Sequence, residues 1–293
     1  MLTRGRVDAE LRSGRWQSPW PGVLTDAGHV PDVTQRAWAA VLASGEGAYA
    51  CGRTAARLHA LPLVDDDDPA TGAAEHRLDD VGTIRPAGTL RAGGRTLRRH
   101  QLVLRPGDLL TPSDGGPPRT SVLRTLVDLA RLIPLGAVVC CIDDALHRRL
   151  VEPAELARAV GARKGSAGAP RLRDAVALAD GRAEAPSETL LRLLLRPAYP
   201  ALVPQVTLLD RAARPVARFD LADEAARVAV EADGKRGHSG ELMVARDRRR
   251  DRAARASGWV TERVTWYDVR RRPHEVVARV GEAYAGRPGR RTG

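Results

Sequence analysis

The segment Arg227-Val-Ala-Val-Glu231-Ala-Asp233-Gly234 constrains the chain more than any other. Strand side chains alternate faces, so Val228, Val230 and Ala232 take one side and Ala229, Glu231 and Asp233 the other. The apolar face demands a covering layer. Two carboxylates on the opposite face, at a strand's end before a glycine, are costly to bury unpaired. A hard divalent cation with oxygen ligands, Mg2+ above all, relieves that cost. The preceding strand, Val216-Ala-Arg-Phe-Asp220, ends in another carboxylate. If the two strands pair, Asp220 and Glu231 converge as metal ligands, with Lys235 and His238 close behind to position water or offset charge. Such a set is the minimum for metal-assisted phosphodiester hydrolysis. A plainer reading stands beside it: Glu-Ala-Asp-Gly is an acidic turn, because Asp-Gly is a common turn dipeptide, and His238 is a surface or capping residue. Lysine weighs towards a site, since Lys164 and Lys235 are the only two lysines in 293 residues.

The flanking pattern supplies the rest of a domain. A helix is expected from Ser187, its N-cap, through Arg196, with Glu188 in the first turn where the helix dipole favours a carboxylate. Strands follow at 203–209, 215–221 and 227–232, then a polar helix at 240–257, a fourth strand at 258–265 and a helix from Pro273 to Ala285. The order is α-β-β-β-α-β-α, an α/β (α+β mixed sheet) class. The helix after the carboxylates carries Arg246-Asp-Arg-Arg-Arg-Asp-Arg252 and Arg255. Asp247 is spaced to pair with Arg250, and Asp251 with Arg255, which would make a solvated, salt-laced face. Alternatively Arg246, Arg249 and Arg250, with Arg263 on the fourth strand, contact nucleic-acid phosphates. Trp266 and Tyr267 either stack on an unpaired base or pack between strand and helix. Residues 287–293 read as a disordered basic tail.

The first 165 residues read as a mostly helical region with a partial winged helix and a small β element. A short helix to Ser13 precedes a wing at about 14–27; helical text covers 32–60, a β element about 76–110 with a strand at Gln101–Leu104, and helices 120–160. If this is the end of a winged helix, the two helices that normally precede the wing are expected to be missing and the DNA-reading unit incomplete. Gly/Ala/Ser-rich sequence marks 166–180 as a linker before the domain at 181–286.

Charge gives a direction. Lys+Arg is 47 against 36 Asp+Glu, a net +11, which favours a polyanion, most simply DNA. Near-exclusive use of arginine over lysine fits a GC-rich genome, but that does not create the excess of base over acid. No run of about 18 apolar residues exists, so no membrane role is expected. The N-terminus lacks the apolar stretch of a secretion signal. Cys51, Cys140 and Cys141 show no CxxC spacing, and adjacent Cys140 and Cys141, in an apolar run, read as small buried hydrophobes. The expected setting is a reducing bacterial cytoplasm.

The motifs at Ala183–Glu188, Asp220, Glu231–His238, Arg246–Arg250 and Gly258–Thr265 together resemble the very-short-patch-repair-type endonuclease domain of the restriction-endonuclease-like, PD-(D/E)xK, superfamily. The resemblance covers roughly residues 181–285. It implies Asp220 and Glu231 as ligands of Mg2+ or another divalent cation, Glu188 as the carboxylate of the first helix, and Asp233, Lys235 and His238 lining the catalytic site. The superfamily's lysine falls two residues after the glutamate, where this chain has Asp233, so its role would pass to Lys235 or His238. Gly14-Arg-Trp16…Pro21–Leu24, Thr54–Leu61 and Arg119…Arg124–Ala130 are similar to type IV (AbiEi-like) antitoxins, which implies a DNA-binding N-terminal winged helix and a toxin as partner. Two functional readings follow: a Mg2+-dependent DNA endonuclease, or a non-catalytic DNA-binding regulator or antitoxin on a nuclease-derived scaffold. A weaker third gives the helices of 120–160 a partner-binding role.

Overall fold

The computed structural model describes residues 3–64, 78–113, 115–163, 165–210, 212–233 and 241–285, excepting the side chains of 241–247. The chain divides into two compact units, Met1–Ala177 and Leu178–Gly293. Both mix helices with mixed parallel and antiparallel sheets.

In the first unit, helix α1 (Arg4–Arg12) buries no residue. The hairpin of β1 (Trp16–Trp20) and β2 (Val23–Asp26) follows it. Trp20 is fully buried against α2 (Val33–Ser44), whose start is fixed by a reciprocal Asp32/Gln35 capping box. The β content exceeds the small element expected at 76–110. Six strands run in the order β5-β6-β4-β3-β8-β7. They are β3 (Tyr49–Ala50), β4 (Leu78–Gly82), β5 (Gly88–Ala92), β6 (Arg95–His100), β7 (Leu109–Leu110) and β8 (Arg119–Thr120). Three of these are two-residue strands, too short to show any periodicity. The strand expected at Gln101–Leu104 is irregular chain. There Val103 is 88% exposed and its carbonyl accepts a hydrogen bond from Arg124, so the apolar run borders the sheet instead of joining it.

Helix α3 (Gly52–Leu58) packs across the sheet, and α4 (Val122–Leu132), α5 (Leu135–His147) and α6 (Pro153–Gly161) fall where apolar periodicity places them. Cys51, Cys140 and Cys141 are buried and in no disulfide among the described residues, with Cys140 and Cys141 in the apolar setting expected. The linker expected at 166–180 is corrected: α7 (Ala169–Leu178) fills most of it. Leu172 and Ala175 are buried, and Arg171 bonds the carbonyls of Ala130 and Ile133. Small-residue composition was mistaken there for a lack of packing.

The second unit has α8 (Pro186–Leu195), β9 (Val203–Leu209), β10 (Pro215–Asp223), β11 (Val228–Asp233), α9 (Glu241–Ala256), β12 (Val260–Thr265), α10 (Trp266–Arg271) and α11 (Pro273–Tyr284). The expected α-β-β-β-α-β-α order is present, with α10 added before the last helix. Ser187 is not the N-cap: Ala185 holds that position and Pro186 opens the helix, as proline's preset φ permits at N1. The sheet runs β12-β11-β10-β9, with β11 and β12 parallel and the other pairs antiparallel. Each face carries its own core. Leu191, Leu195, Leu221, Val228, Val230, Val276 and Val280 join the sheet to α8 and α11. Phe219, Ala229, Ala254 and Trp259 join the other face to α9. The predicted alternation of β11 is therefore observed: its valines face α8 and α11, and Ala229 faces α9. No described helix is long and apolar enough to cross a membrane.

Candidate functional site

The site begins with a defect in strand alternation. Ala217 and Phe219 of β10 pack on the α9 face, so Leu221 should do so too. Instead Leu221 packs on the α8 face, while Ala222 returns to the α9 face. The switch occurs at Asp220. Across β9, the position opposite is Gln205, between the paired couples Phe219–Val206 and Leu221–Pro204. Gln205 has a φ of +57°, a left-handed conformation that costs a non-glycine residue about 1–2 kcal/mol. Local kinks of this kind re-aim side chains. Asp220 thus lies inside β10, which continues to Asp223, and not at a strand end as expected.

The paired β10–β11 register ends at Leu221–Val230, one step before Asp220 and Glu231. Asp220 Oδ2 accepts the Ala232 N–H at 2.8 Å. Glu231 is 7% exposed and points to the α9 face. Its Oε2 accepts from Arg250 Nη2 of α9 at 2.7 Å and from Arg263 Nε of β12 at 3.2 Å. Arg263 stands beside Glu231 in the parallel register and donates its Nη2 to Asp251 at 2.5 Å. The other oxygen, Glu231 Oε1, is buried with no partner among the described residues.

On the α8 side, Glu188 Oε2 accepts the Glu184 N–H and Gln205 Nε2, each at 2.9 Å. Gln205 Oε1 is a second buried oxygen without a partner among the described residues. Glu184 itself pairs with Arg218 at 2.6 Å.

The three carboxyls share one electrostatic trend. Burial pushes Glu231 above its ordinary value; Arg250 and Arg263 oppose this and Asp220 adds to it. Burial also raises Asp220, against the Ala232 hydrogen bond and the charges of Arg218 and Arg250. Glu188 is raised by burial and then by the charges of Asp220 and Glu184, against its two hydrogen bonds. Asp220 therefore acts on Glu188 and Glu231 together. A raised folded value means that the folded state holds protons the unfolded state has released. Stability from this cluster is accordingly gained as pH falls through the raised values and is absent above them.

Of the residues anticipated from sequence, Asp220, Glu231 and Glu188 are brought into electrostatic contact. Asp233 ends β11, exposed, opposite Thr265. Lys235 and His238 lie outside the described residues, as do the side chains of Arg246 and Asp247 and the tail at 287–293. Arg249 is exposed, whereas Arg250 is committed to Glu231. The expected Asp251–Arg255 pair is replaced by Asp251–Arg263, because β12 brings a closer guanidinium. Tyr267 is 58% exposed with Arg272 over its ring, and Arg270 stacks on Trp266, so neither aromatic is fully packed away. Gln205 was missed entirely: nothing in Val-Pro-Gln-Val-Thr marks a left-handed residue. Among the described residues no group of three or more His, Cys, Asp or Glu side chains is placed to hold a metal ion. The arrangement offers two electrostatically coupled carboxyls, Asp220 and Glu231, and two buried oxygens, Glu231 Oε1 and Gln205 Oε1, without a partner among the described residues.

No family model matches the chain, and no solved structure matches it. Two uncharacterized proteins of Mycobacterium tuberculosis, Rv2248 of strain H37Rv and MT2308 of strain CDC 1551, are each 28% identical over 279 residues. Each alignment covers 95% of this chain and 96% of the relative, so the likeness runs through both units and not through the acidic site alone.

Proposed function

We propose that the second unit is a divalent-metal-dependent DNA endonuclease domain, with Asp220 and Glu231 holding the cation, preferentially Mg2+. The observation that carries this reading is Glu231 Oε1, a buried carboxylate oxygen with no partner among the described residues, in a carboxyl on which the charge of Asp220 acts. Such an atom is costly unless something cationic meets it. All-oxygen donors suit a hard cation. A divalent cation there would supply charge neutralisation at the scissile phosphate and a more acidic water.

The chain's own residues do the rest. Asp220, at the β10 kink, accepts the N–H of Ala232, the residue after Glu231. Arg250 and Arg263 fix the Glu231 carboxylate by its Oε2, leaving Oε1 for the ligand. Glu188, raised and half-buried, is suited to hold a proton near the site. Basic residues around the site, among them exposed Arg248, Arg249, Arg252 and Arg255, suit a polyanionic substrate.

The direct test is Mg2+-dependent nicking or cleavage of duplex DNA, compared with the same reaction in EDTA. Because the site carboxyls are raised, activity is expected to rise with pH and to reach half its plateau above the ordinary carboxylate range. A pH–rate profile checks this; a half-point at or below about 4 contradicts the ionised-carboxylate requirement.

A second reading has its own support. Two arginines already neutralise Glu231, and Asp233 stands exposed at the superfamily's lysine position. This favours a nuclease-derived domain that binds DNA without cutting it, as in a regulator or the antitoxin of a type IV toxin–antitoxin pair. It predicts salt-sensitive, EDTA-insensitive binding and no cleavage.

A further inference from the structure

A cavity adjoins Glu231 through Arg263. It has a volume of about 280 Å3 and is lined by Asp251 and Arg255 of α9 and by Thr261, Glu262 and Arg263 of β12. In the parallel register Thr261 stands beside Ala229 and Arg263 beside Glu231, so both lie on the sheet face that carries the site. The two acids of the cavity are already engaged. Asp251 accepts from Arg263 at 2.5 Å, and Glu262 is held by Arg279. Arg255 is different: it is exposed, and its guanidinium has no partner among the described residues. The Thr261 hydroxyl has none either. The cavity therefore presents one uncommitted guanidinium, one hydroxyl donor and the shared guanidinium of Arg263. Planar guanidinium and hydroxyl donors suit the oxygens of a phosphate.

From these placements we infer that the cavity binds a backbone phosphate of a nucleic-acid strand, with Arg255 and Thr261 as its ligands and Arg263 linking it to Glu231. This rests on the reading of Asp220 and Glu231 as the reacting centre for the choice of nucleic acid, but not for the phosphate itself. Arg263 lies between Glu231 and Asp251, so a phosphate in the cavity sits one residue's reach from the carboxylates. The strand would be held beside the position where a phosphodiester meets Asp220 and Glu231.

The test is fluorescence anisotropy of the full chain with a labelled duplex, in EDTA, across a salt series. Arg255→Ala should weaken binding on the order of five-fold and make the log–log salt slope shallower by about 0.9, as loss of one phosphate contact does. Arg255→Lys should restore the slope. Thr261→Val should weaken binding without changing the slope. Arg255 is exposed, so its loss does not unfold the domain. Wild-type affinity and slope in Arg255→Ala would overturn the inference. Displacement of the duplex by a nucleoside monophosphate at equal phosphate concentration would replace the nucleic-acid strand with a small phosphate ester. The two readings fail separately. An Arg255 defect in a protein that never cleaves DNA removes the hydrolytic reading and keeps the phosphate site. Cleavage by a protein whose Arg255→Ala variant binds normally does the reverse.

Discussion

Glu231→Gln is expected to lower the rate of Mg2+-dependent DNA cleavage by at least about 10²-fold, with Asp220→Asn close behind. The two substitutions keep size and shape and remove one charge each. In Glu231→Gln the amide oxygen can still accept from Arg250, but only one oxygen remains and the free position becomes an N–H2 group. A cation meets a donor there in place of an acceptor. A second readout separates this from general damage. Ca2+ or Mg2+ should raise the thermal midpoint of the wild-type second unit by mass action, since a ligand at about 100 times its dissociation constant adds about 2.7 kcal/mol. That rise should vanish in Glu231→Gln and shrink in Asp220→Asn. Equal cleavage by wild type and Glu231→Gln would eliminate the carboxylate site as the source of any activity. A metal-induced shift that survives both substitutions would place the ion elsewhere.

The sequence made the second unit's frame legible because its elements are long and regularly patterned. Val228 and Val230 pack on one face and Ala229 on the other, as a period of two demands. Glu188 falls in the first turn of its helix, and Glu231 points away from the valine core. The finer geometry depends on a broken rule. Asp220 stands at a kink that breaks the alternation of β10, with Gln205 in a conformation its side chain does not announce. Pairings across the sheet were equally hidden. Asp251 looked suited to Arg255 by helical spacing, yet Arg263 arrives from β12, some distance away in sequence. In the first unit, short strands such as Tyr49–Ala50 gain their place from neighbours and not from local propensity. Buried charge was the other illegible feature. Asp79 and Asp80 in β4 carry no mark of burial in the sequence, and both are buried.

Asp80→Ala is expected to cost the first unit about 3–5 kcal/mol, the penalty for breaking one side of a buried ion pair. Asp80 is fully buried. Its Oδ2 accepts the Arg53 N–H at 3.2 Å and Arg53 Nη1 at 3.4 Å, while Oδ1 meets His100 Nε2 at 2.7 Å. The Asp80 N–H donates to Thr54 Oγ1 at 2.8 Å, which locks β4 to α3. Removing the carboxylate takes the Asp80 ion pair from Arg53, itself 4% exposed, and leaves its Nη2 bond to the Leu132 carbonyl. Collapse offers little relief, because Gly52 already sits where an added Cβ would meet Leu132 and Asp80. Urea unfolding followed by tryptophan fluorescence checks the size, with buried Trp20 reporting the first unit. Acid supplies the signature. Burial raises the Asp80 carboxyl, but His100 and Arg53 outweigh it and leave its value below the ordinary 3.8. A lowered value gives stability that is present above 3.8 and lost as pH falls through the folded value. Asp79 and Asp128, both raised by burial, act with the opposite sign, so the wild-type acid limb is composite. The difference between wild type and Asp80→Asn isolates the one group: it should be constant above about pH 5 and shrink below about pH 4. A difference that stays flat into strong acid would mean that Asp80 contributes shape and not charge.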